Sequence, residues 1–95
     1  MKRFDIINSL IKKYNYKSYL EIGTQFGDCF KEIDIETKVC VDPQKCFDGL
    51  TYEMTSDDFF AQNTKNFDIV FVDGLHLEEQ STKDILNSLK ILNEN

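Results

Sequence analysis

Basic residues are scarce in this chain of 95 residues. Eleven Lys and Arg side chains stand against seventeen Asp and Glu, and the net charge is −6 at pH 7. A surface of this charge repels a phosphate backbone and offers it no basic stripe to follow. The composition therefore excludes a platform for nucleic acid.

Long apolar runs are also lacking. No stretch approaches the roughly twenty apolar residues that a membrane-spanning helix needs. Residues 1–5 lack the apolar core of a signal peptide. We expect a cytoplasmic protein with no membrane partner.

Cysteines are few and are not spaced for metal or disulfide chemistry. Cys29, Cys40 and Cys46 are odd in number and form no CxxC pair, which argues against both a disulfide framework and a zinc knuckle. We predict reduced thiols. Cys40, between Val39 and Val41, is expected to be a small buried residue of a strand.

The composition is that of a folded domain, with 41% hydrophobic and 29% charged residues. A disordered chain would contain fewer large aliphatic and aromatic residues. A chain of this length buries only about two-thirds of the surface that its unfolded form exposes, which allows one modest core. We predict a single domain over residues 1–95.

Apolar periodicity predicts a helix at each end of the chain. Residues 3–14 carry apolar side chains on one face, and Asn15 is suited to end this helix: Phe4, Ile7, Ile11, Tyr14. A last helix begins at about Glu78. Its predicted inward residues are Ile85, Leu86, Leu89 and Leu92, and its predicted outward residues are Lys83, Asp84, Asn87 and Lys90.

Strands alternate with helices between these two ends. The strands are predicted at residues 18–22, 37–42, 50–54 and 67–73, and short helices at 25–33 and at 56–62, the latter with Ser56 as N-cap. This alternation predicts right-handed crossovers and a Rossmann-like α/β fold, a parallel sheet of about four strands with flanking helices. Ligands of such sheets bind beyond the carboxyl ends of the strands.

Polar residues and glycines collect at those strand ends. Gly23 and Gly27 punctuate a turn after the first strand, and Asp42 ends the second strand. Nucleotide-binding βαβ units place a carboxylate on ribose hydroxyls about twenty residues after the first glycine. Together with Glu21 and Asp73, these residues predict a nucleotide site.

The chain resembles the class I S-adenosylmethionine-dependent methyltransferases, especially the branch of catechol and small-molecule O-methyltransferases. The resemblance covers roughly residues 18–92, that is, the chain beyond the helix at 3–14. It rests on four segments in order: LEIGTQFG (20–27), VDP (41–43), MTSDDFF (54–60) and FDIVFVDGLH (67–76).

The resemblance implies a role for individual residues toward S-adenosylmethionine. Glu21, Gly23, Thr24 and Gly27 would line its methionine part, with Cys29 where relatives often have serine. Asp42 would bind the ribose hydroxyls and Pro43 would lie against one adenine face. Ser56 and Asp57 would meet the adenine edge, where a carboxylate can accept from the exocyclic amine. Asp73 would complete the cofactor site.

The resemblance also implies a chemistry. His76 stands three residues after Asp73, where related enzymes carry a general base that takes a proton from the acceptor hydroxyl. Asp73 corresponds to a first carboxylate ligand in relatives that bind a divalent metal such as Mg²⁺. The expected reaction is O-methylation of a small-molecule or sugar-like acceptor.

The sequence departs from the family pattern in two places. The middle glycine of the turn is Gln25, and relatives continue after residues 89–93 with another strand. We therefore expect a truncated fold whose exposed sheet edge joins a second copy or a complementing chain. Three alternatives stay open: a catalytically silent cofactor-binding subunit, a nicotinamide-type dinucleotide-binding domain and a purely structural α/β module.

Overall fold

The computed structural model of the protein describes residues 2–72 and 78–93. Four parallel strands form one sheet within these ranges, and three α-helices flank it. The strands are β1 (Ser18–Ile22), β2 (Thr37–Asp42), β3 (Tyr52–Glu53) and β4 (Ile69–Val72). The helices are α1 (Arg3–Tyr14), α2 (Ser56–Gln62) and α3 (Glu78–Lys90). The predicted Rossmann-like α/β class is confirmed.

The strands are ordered β3-β2-β1-β4, so β1 has a neighbour on each edge. Its last residue, Ile22, pairs with Val41 of β2 and with Val72 of β4. Because all pairs are parallel, the carboxyl ends of β1, β2 and β4 lie along the same edge of the sheet. The predicted site residue Asp73 follows β4 but lies outside the described residues.

A separate hydrophobic cluster covers each face of the sheet. Helix α1 and the segment after the glycine turn cover one face, with these buried residues: Ile7, Ile11, Tyr19, Phe30, Ile33 and Cys40. The cluster on the other face involves α2 and has these buried residues: Leu20, Ile22, Val41, Phe59 and Phe67. The central strand β1 is buried on both sides from Tyr19 onward, as expected for a parallel strand between helices. Burial of Cys40 confirms the prediction made for it.

Helix α1 has the predicted bounds. The Asp5 carboxylate accepts a hydrogen bond from the Lys2 backbone N–H at 3.0 Å and so satisfies a donor that the helix start leaves unpaired. Asn15 ends the helix in the left-handed region, with φ 57°, and donates its N–H to the Ile11 carbonyl. No helix in the described ranges is long and apolar enough to cross a membrane.

Two local predictions were wrong. The helix expected over residues 25–33 is only a 3₁₀ turn at Phe30–Glu32, because Gln25 and Gly27 have positive φ, which α-helical backbone does not allow. The N-cap of α2 is Thr55 rather than Ser56, since the Thr55 hydroxyl accepts from the Asp58 N–H at 3.2 Å.

Helix α3 has the predicted start, and Lys83 and Lys90 are exposed as predicted, but the residues that it buries differ from the predicted ones. Asp84 is 0% exposed and Ser88 is buried, whereas Leu89, predicted to be inward, is 60% exposed. Ile85 and Leu86 are exposed as well. Hydrogen bonds fix this orientation, because the Ser56 hydroxyl of α2 donates to the Asp84 carboxylate at 2.6 Å. Periodicity shows which residues share a face, but not which face meets the sheet.

The outer edge of β4 begins to pair with the segment after α3. Phe67 forms a parallel bridge with Leu92, donating its N–H to the Ile91 carbonyl and accepting from the Asn93 N–H, both at 2.8 Å. In the described part of the chain, residues 69–72 have a strand neighbour only on the β1 side. Edges of this kind can accept another strand.

Asp68 joins three segments at the amino end of β4. Its carboxylate accepts from the Lys17 backbone N–H at 2.7 Å and from the Asn93 side-chain amide at 2.8 Å. These hydrogen bonds, the first of them the stronger influence, hold the pKa of Asp68 below its usual value.

We predict that Asp68→Asn lowers the free energy of unfolding at pH 7 and flattens its dependence on acid. Because the folded pKa lies below the unfolded value of about 4, the contribution of Asp68 is complete above that value and is lost as pH falls through the folded pKa. Urea unfolding between pH 7 and pH 3 measures both effects. Asn at the exposed position Asp34 is the control, and equal acid sensitivity of Asp68→Asn and wild type would contradict the prediction.

A pair of leucine substitutions tests the orientation of α3. Leu20→Ala, at a fully buried position, should cost about 2–5 kcal/mol of unfolding free energy through the cavity that it leaves. Leu89→Ala, at an exposed position, should change it by no more than about 0.5 kcal/mol. Urea titration of both variants measures the difference. A cost for Leu89→Ala close to that of Leu20→Ala would mean that α3 packs through its apolar face.

Candidate functional site

The turn after β1 is held in shape by backbone conformation and by Asp42. Gly23 and Gly27 have φ of 82° and 78°, and Gln25 between them has φ of 51°. The Gln25 N–H donates to Asp42 Oδ2 at 2.9 Å, and the Gln44 N–H donates to Oδ1 at 2.9 Å. A glutamine thus occupies a left-handed position that glycine favours. The side chain of Asp42 is buried and ties the turn to the end of β2.

Gly27 has steric as well as conformational reasons to be glycine. A Cβ atom built at this position would lie 2.6 Å from the Phe47 ring. The ring belongs to the loop after β2 and packs against the cluster around Phe30. The absence of a side chain at Gly27 therefore lets the turn pack closely against that loop.

Glu21 is a buried carboxylate near the end of β1, only 2% exposed. Its Oε1 accepts from the Tyr19 hydroxyl and its Oε2 from the Thr24 hydroxyl, each at 2.6 Å. A buried acid requires such donors, because an unpaired carboxylate would be strongly destabilising. The two hydroxyls fix the Glu21 side chain and link it to the glycine turn.

Two clefts open beside this turn. The Glu21 cleft, of about 510 Å³, is lined by acids, bases and apolar residues: Lys2, Arg3, Phe4, Glu21, Thr24, Gln25, Phe26, Asp28 and Cys29. The Ser56 cleft, of about 310 Å³, is lined by Ile22, Gly23, Val41, Pro43, Thr55, Ser56, Asp57 and Gln80. Successive strand residues point to opposite faces. Glu21 and Ile22 therefore line clefts on opposite faces of the sheet, and both clefts lie at the carboxyl end of β1.

Asp42 lines neither cleft but adjoins a lining residue of each. It hydrogen-bonds Gln25, which lines the Glu21 cleft, and precedes Pro43, which lines the Ser56 cleft. A ligand with a polar middle could contact the Asp42 carboxylate and place one end in each cleft. The Ser56 cleft has apolar walls from Ile22, Val41 and Pro43, as a flat ring requires, whereas the Glu21 cleft contains an acid and a hydroxyl.

A polar cluster joins α2 to α3 at the Ser56 cleft. Asp84 Oδ1 accepts from the Ser56 hydroxyl at 2.6 Å and from the Gln80 amide nitrogen at 2.9 Å. The same nitrogen lies 3.2 Å from both Ser56 Oγ and Asp57 Oδ1. Asp57 Oδ2 pairs with the Lys83 ammonium at 3.0 Å. The Lys83 hydrogen bond, with that of Gln80, lowers the pKa of the Asp57 carboxyl.

The structure brings most of the predicted cofactor residues to one place. Glu21 and Thr24 line one cleft, and Gly23, Pro43, Ser56 and Asp57 line the other. Asp42 lies between the clefts, and Gly27 supports the turn. Asp73 and His76 lie outside the described residues, so the predicted base and metal ligand are not placed. Within the described ranges, no group of three His, Cys, Asp or Glu side chains is arranged to hold a metal ion.

Sequence reasoning missed Gln80 and misplaced Asp84. A signal was present, because polar residues recur every four positions at Gln80, Asp84 and Ser88, which puts them on one helix face. The apolar stripe of α3 gave the stronger pattern and was assigned to the interior. The structure buries the polar stripe instead.

Comparison with protein-family models gave no match for this sequence, and a search of curated proteins gave no significant match. The fold and the two clefts are therefore the observations on which a functional assignment depends.

We predict that Gly27→Ala destabilises the protein more than Gly49→Ala does. The added Cβ would meet the Phe47 ring at 2.6 Å in the first case and at 2.7 Å in the second, but only Gly27 has positive φ. Overpacking against the ring should cost about 1–3 kcal/mol at either position. The left-handed backbone at Gly27 should add about 1–2 kcal/mol. Urea unfolding measures both losses, and equal losses would show that the turn relaxes to a conformation open to alanine.

Proposed function

We propose that this chain binds S-adenosylmethionine and belongs to a methyltransferase lineage, with O-methylation of a small-molecule or sugar-like acceptor as its chemistry. The observation that carries the proposal is the pair of clefts beside the glycine turn, with Asp42 next to a lining residue of each. The cofactor has an adenine ring, a ribose and a methionine in that order. The Ser56 cleft, Asp42 and the Glu21 cleft follow one another in the same order.

The Ser56 cleft suits the adenine ring. Apolar side chains line it, and Ser56 and Asp57 supply polar groups at its edge. Binding pockets of about 300–1,000 Å³ commonly combine apolar walls with a few polar groups that fix orientation. In the proposed complex Pro43 lies against one face of the ring, and Ser56 and Asp57 lie at its edge.

Asp42 has the capacity to bind the ribose. Each of its carboxylate oxygens accepts one backbone N–H, at 2.9 Å. Two carboxylate oxygens together offer about four acceptor sites, which leaves capacity for two hydroxyl donors. The backbone hydrogen bonds also hold the carboxylate in place before the ligand arrives, so little side-chain entropy is lost on binding.

The Glu21 cleft suits the methionine part, which carries a positive sulfonium and an α-ammonium group. Glu21 places a negative group in this cleft, and Thr24 holds its carboxylate toward the turn. Gly23, Thr24 and Gly27 give the turn its shape, and Cys29 also lines the cleft. Lys2 and Arg3 line the same cleft, so it carries charges of both signs and can also face the carboxylate of the methionine part.

Bound S-adenosylmethionine would supply a methyl group on a good leaving group, so the protein must chiefly align the acceptor oxygen with that group. As the methyl carbon bonds to oxygen, its bond to sulfur breaks and the acceptor releases a proton. His76 is the proposed base for this proton, and Asp73 is the proposed carboxylate beside it. Asp73 would be one ligand of a divalent metal such as Mg²⁺, which would bind the acceptor oxygen and favour loss of its proton.

A second candidate is a cofactor-binding subunit without catalytic activity of its own. Two observations favour it: the outer edge of β4 has no strand partner along residues 69–72 in the described ranges, and the apolar face of α3 is exposed. A second copy or a complementing chain that adds a strand to β4 would cover both surfaces. This candidate predicts dimerisation and tight cofactor binding without turnover.

Calorimetric titration with S-adenosylhomocysteine, the demethylated form of the cofactor, tests the proposal. We expect micromolar binding by the wild type and a loss of at least ~10-fold in Asp42→Ala, since hydrogen bonds to an ionised acceptor are among the stronger ones. Asp48→Ala is the matched control, because Asp48 is an exposed acid of the loop that follows Asp42. Circular dichroism confirms that each variant is folded.

Two outcomes would contradict the proposal. A folded wild type that fails to bind S-adenosylhomocysteine would show that the described clefts do not form a cofactor site. Displacement of a bound nicotinamide dinucleotide, with tighter binding of NADH than of S-adenosylhomocysteine, would support the dinucleotide-binding alternative instead. Gln25 argues against that alternative, because dinucleotide turns use glycine there to admit the pyrophosphate.

A further inference from the structure

Gln80 lines the Ser56 cleft, and hydrogen bonds hold its side-chain amide in a single orientation. Its nitrogen lies within hydrogen-bond distance of three oxygens: Asp84 Oδ1 at 2.9 Å, and Ser56 Oγ and Asp57 Oδ1 at 3.2 Å each. Two of these are carboxylate oxygens, which only accept. The Ser56 hydroxyl already donates its proton to Asp84. The amide nitrogen of Gln80, and not its oxygen, must therefore point toward these three oxygens.

Exchange of the amide nitrogen and oxygen would be strongly unfavourable. It would place the Gln80 carbonyl oxygen against two carboxylates, where no donor replaces the lost hydrogen bonds. Asp84 makes this penalty larger because it is fully buried, and its second oxygen has no hydrogen-bond partner among the described residues. The polar cluster thus orients Gln80, while Gln80 in turn supplies a donor that Asp84 needs.

The amide oxygen of Gln80 has no such partner in the described residues, and Gln80 lines the Ser56 cleft with its apolar walls. We propose that Gln80 is the residue that selects adenine, accepting a hydrogen bond from the exocyclic amino group at position 6 of the ring. This inference rests on the proposed function and extends it to the choice of base. A 6-aminopurine is favoured over a 6-oxopurine.

The neighbouring polar groups are less suited to this role. The Ser56 hydroxyl is buried and its proton is committed to Asp84. The Asp57 carboxylate is 45% exposed and pairs with the Lys83 ammonium, so water and Lys83 compete for its oxygens. An amide oxygen that is fixed in place and cannot become a donor distinguishes a 6-amino group from a 6-oxo group. A group that can rotate or remain solvated distinguishes them less well.

Titration with two ligands that differ only in the base tests the inference. S-adenosylhomocysteine carries a 6-amino group, and S-inosylhomocysteine carries a 6-oxo group that would oppose the Gln80 oxygen. We expect the wild type to bind the inosyl ligand at least ~10-fold more weakly. Gln80→Met keeps the side-chain length, and should bring the two dissociation constants within about threefold of each other by weakening adenosyl binding.

Two further variants separate Gln80 from its surroundings. Gln62→Met repeats the substitution on α2 at an exposed position outside the Ser56 cleft, and should leave the preference unchanged. Asp57→Asn keeps an oxygen that can accept from Gln80 and tests the competing assignment to Asp57. Loss of preference in Asp57→Asn but not in Gln80→Met would assign the role to Asp57 and overturn the inference.

The wild type alone is decisive if Gln80→Met does not fold. Equal affinity of the wild type for the two ligands would overturn the inference while leaving the proposed function in place. Failure of the folded wild type to bind S-adenosylhomocysteine would overturn both. A preference of tenfold or more that is lost in folded Gln80→Met would support the inference.

Discussion

Strand β1 forms a parallel pair along each of its edges, with β2 on one side and β4 on the other. Its residues from Tyr19 onward are almost wholly buried. This double pairing places the end of β1 between the ends of β2 and β4. The chain leaves the sheet at this point and forms the glycine turn. Both clefts and the acids beside them take their positions from this point. The positions of both clefts therefore depend on the register of this strand.

The acids at the strand ends are prepared for a ligand by the protein itself. Glu21 is held by two hydroxyls and Asp42 by two backbone N–H groups. Burying an acid is unfavourable unless donors surround it. Here the same donors that make burial tolerable also fix the orientation of the two carboxylates, so the requirement for stability and the requirement for binding are met by the same contacts.

Residue patterns predicted the sheet, α1 and the role of Asp42 as a strand-end acid, because apolar runs and turn glycines act locally along the sequence. They failed where distant residues decide the outcome. Asp84 lies inside because Ser56, 28 positions away, donates to it, and the stretch from Gln25 is a turn because Asp42 holds its N–H. Gln80 contacts Ser56 and Asp57 because α2 and α3 lie side by side. Tertiary contacts override local preference in each case.

The two pairings of β1 differ greatly in the length of chain that they enclose. Leu20 pairs with Val39 on one side and with Val70 on the other. During synthesis β1 can pair with β2 early. Its other edge stays unpaired until the residues near Val70 have left the ribosome. Pairings between distant segments form slowly, because the entropy of loop closure is lost before the new contacts stabilise the chain. A central strand with an open hydrophobic edge is a template for aggregation in the meantime. The nascent chain is therefore most prone to aggregate after β1 has paired with β2 and before it has paired with β4.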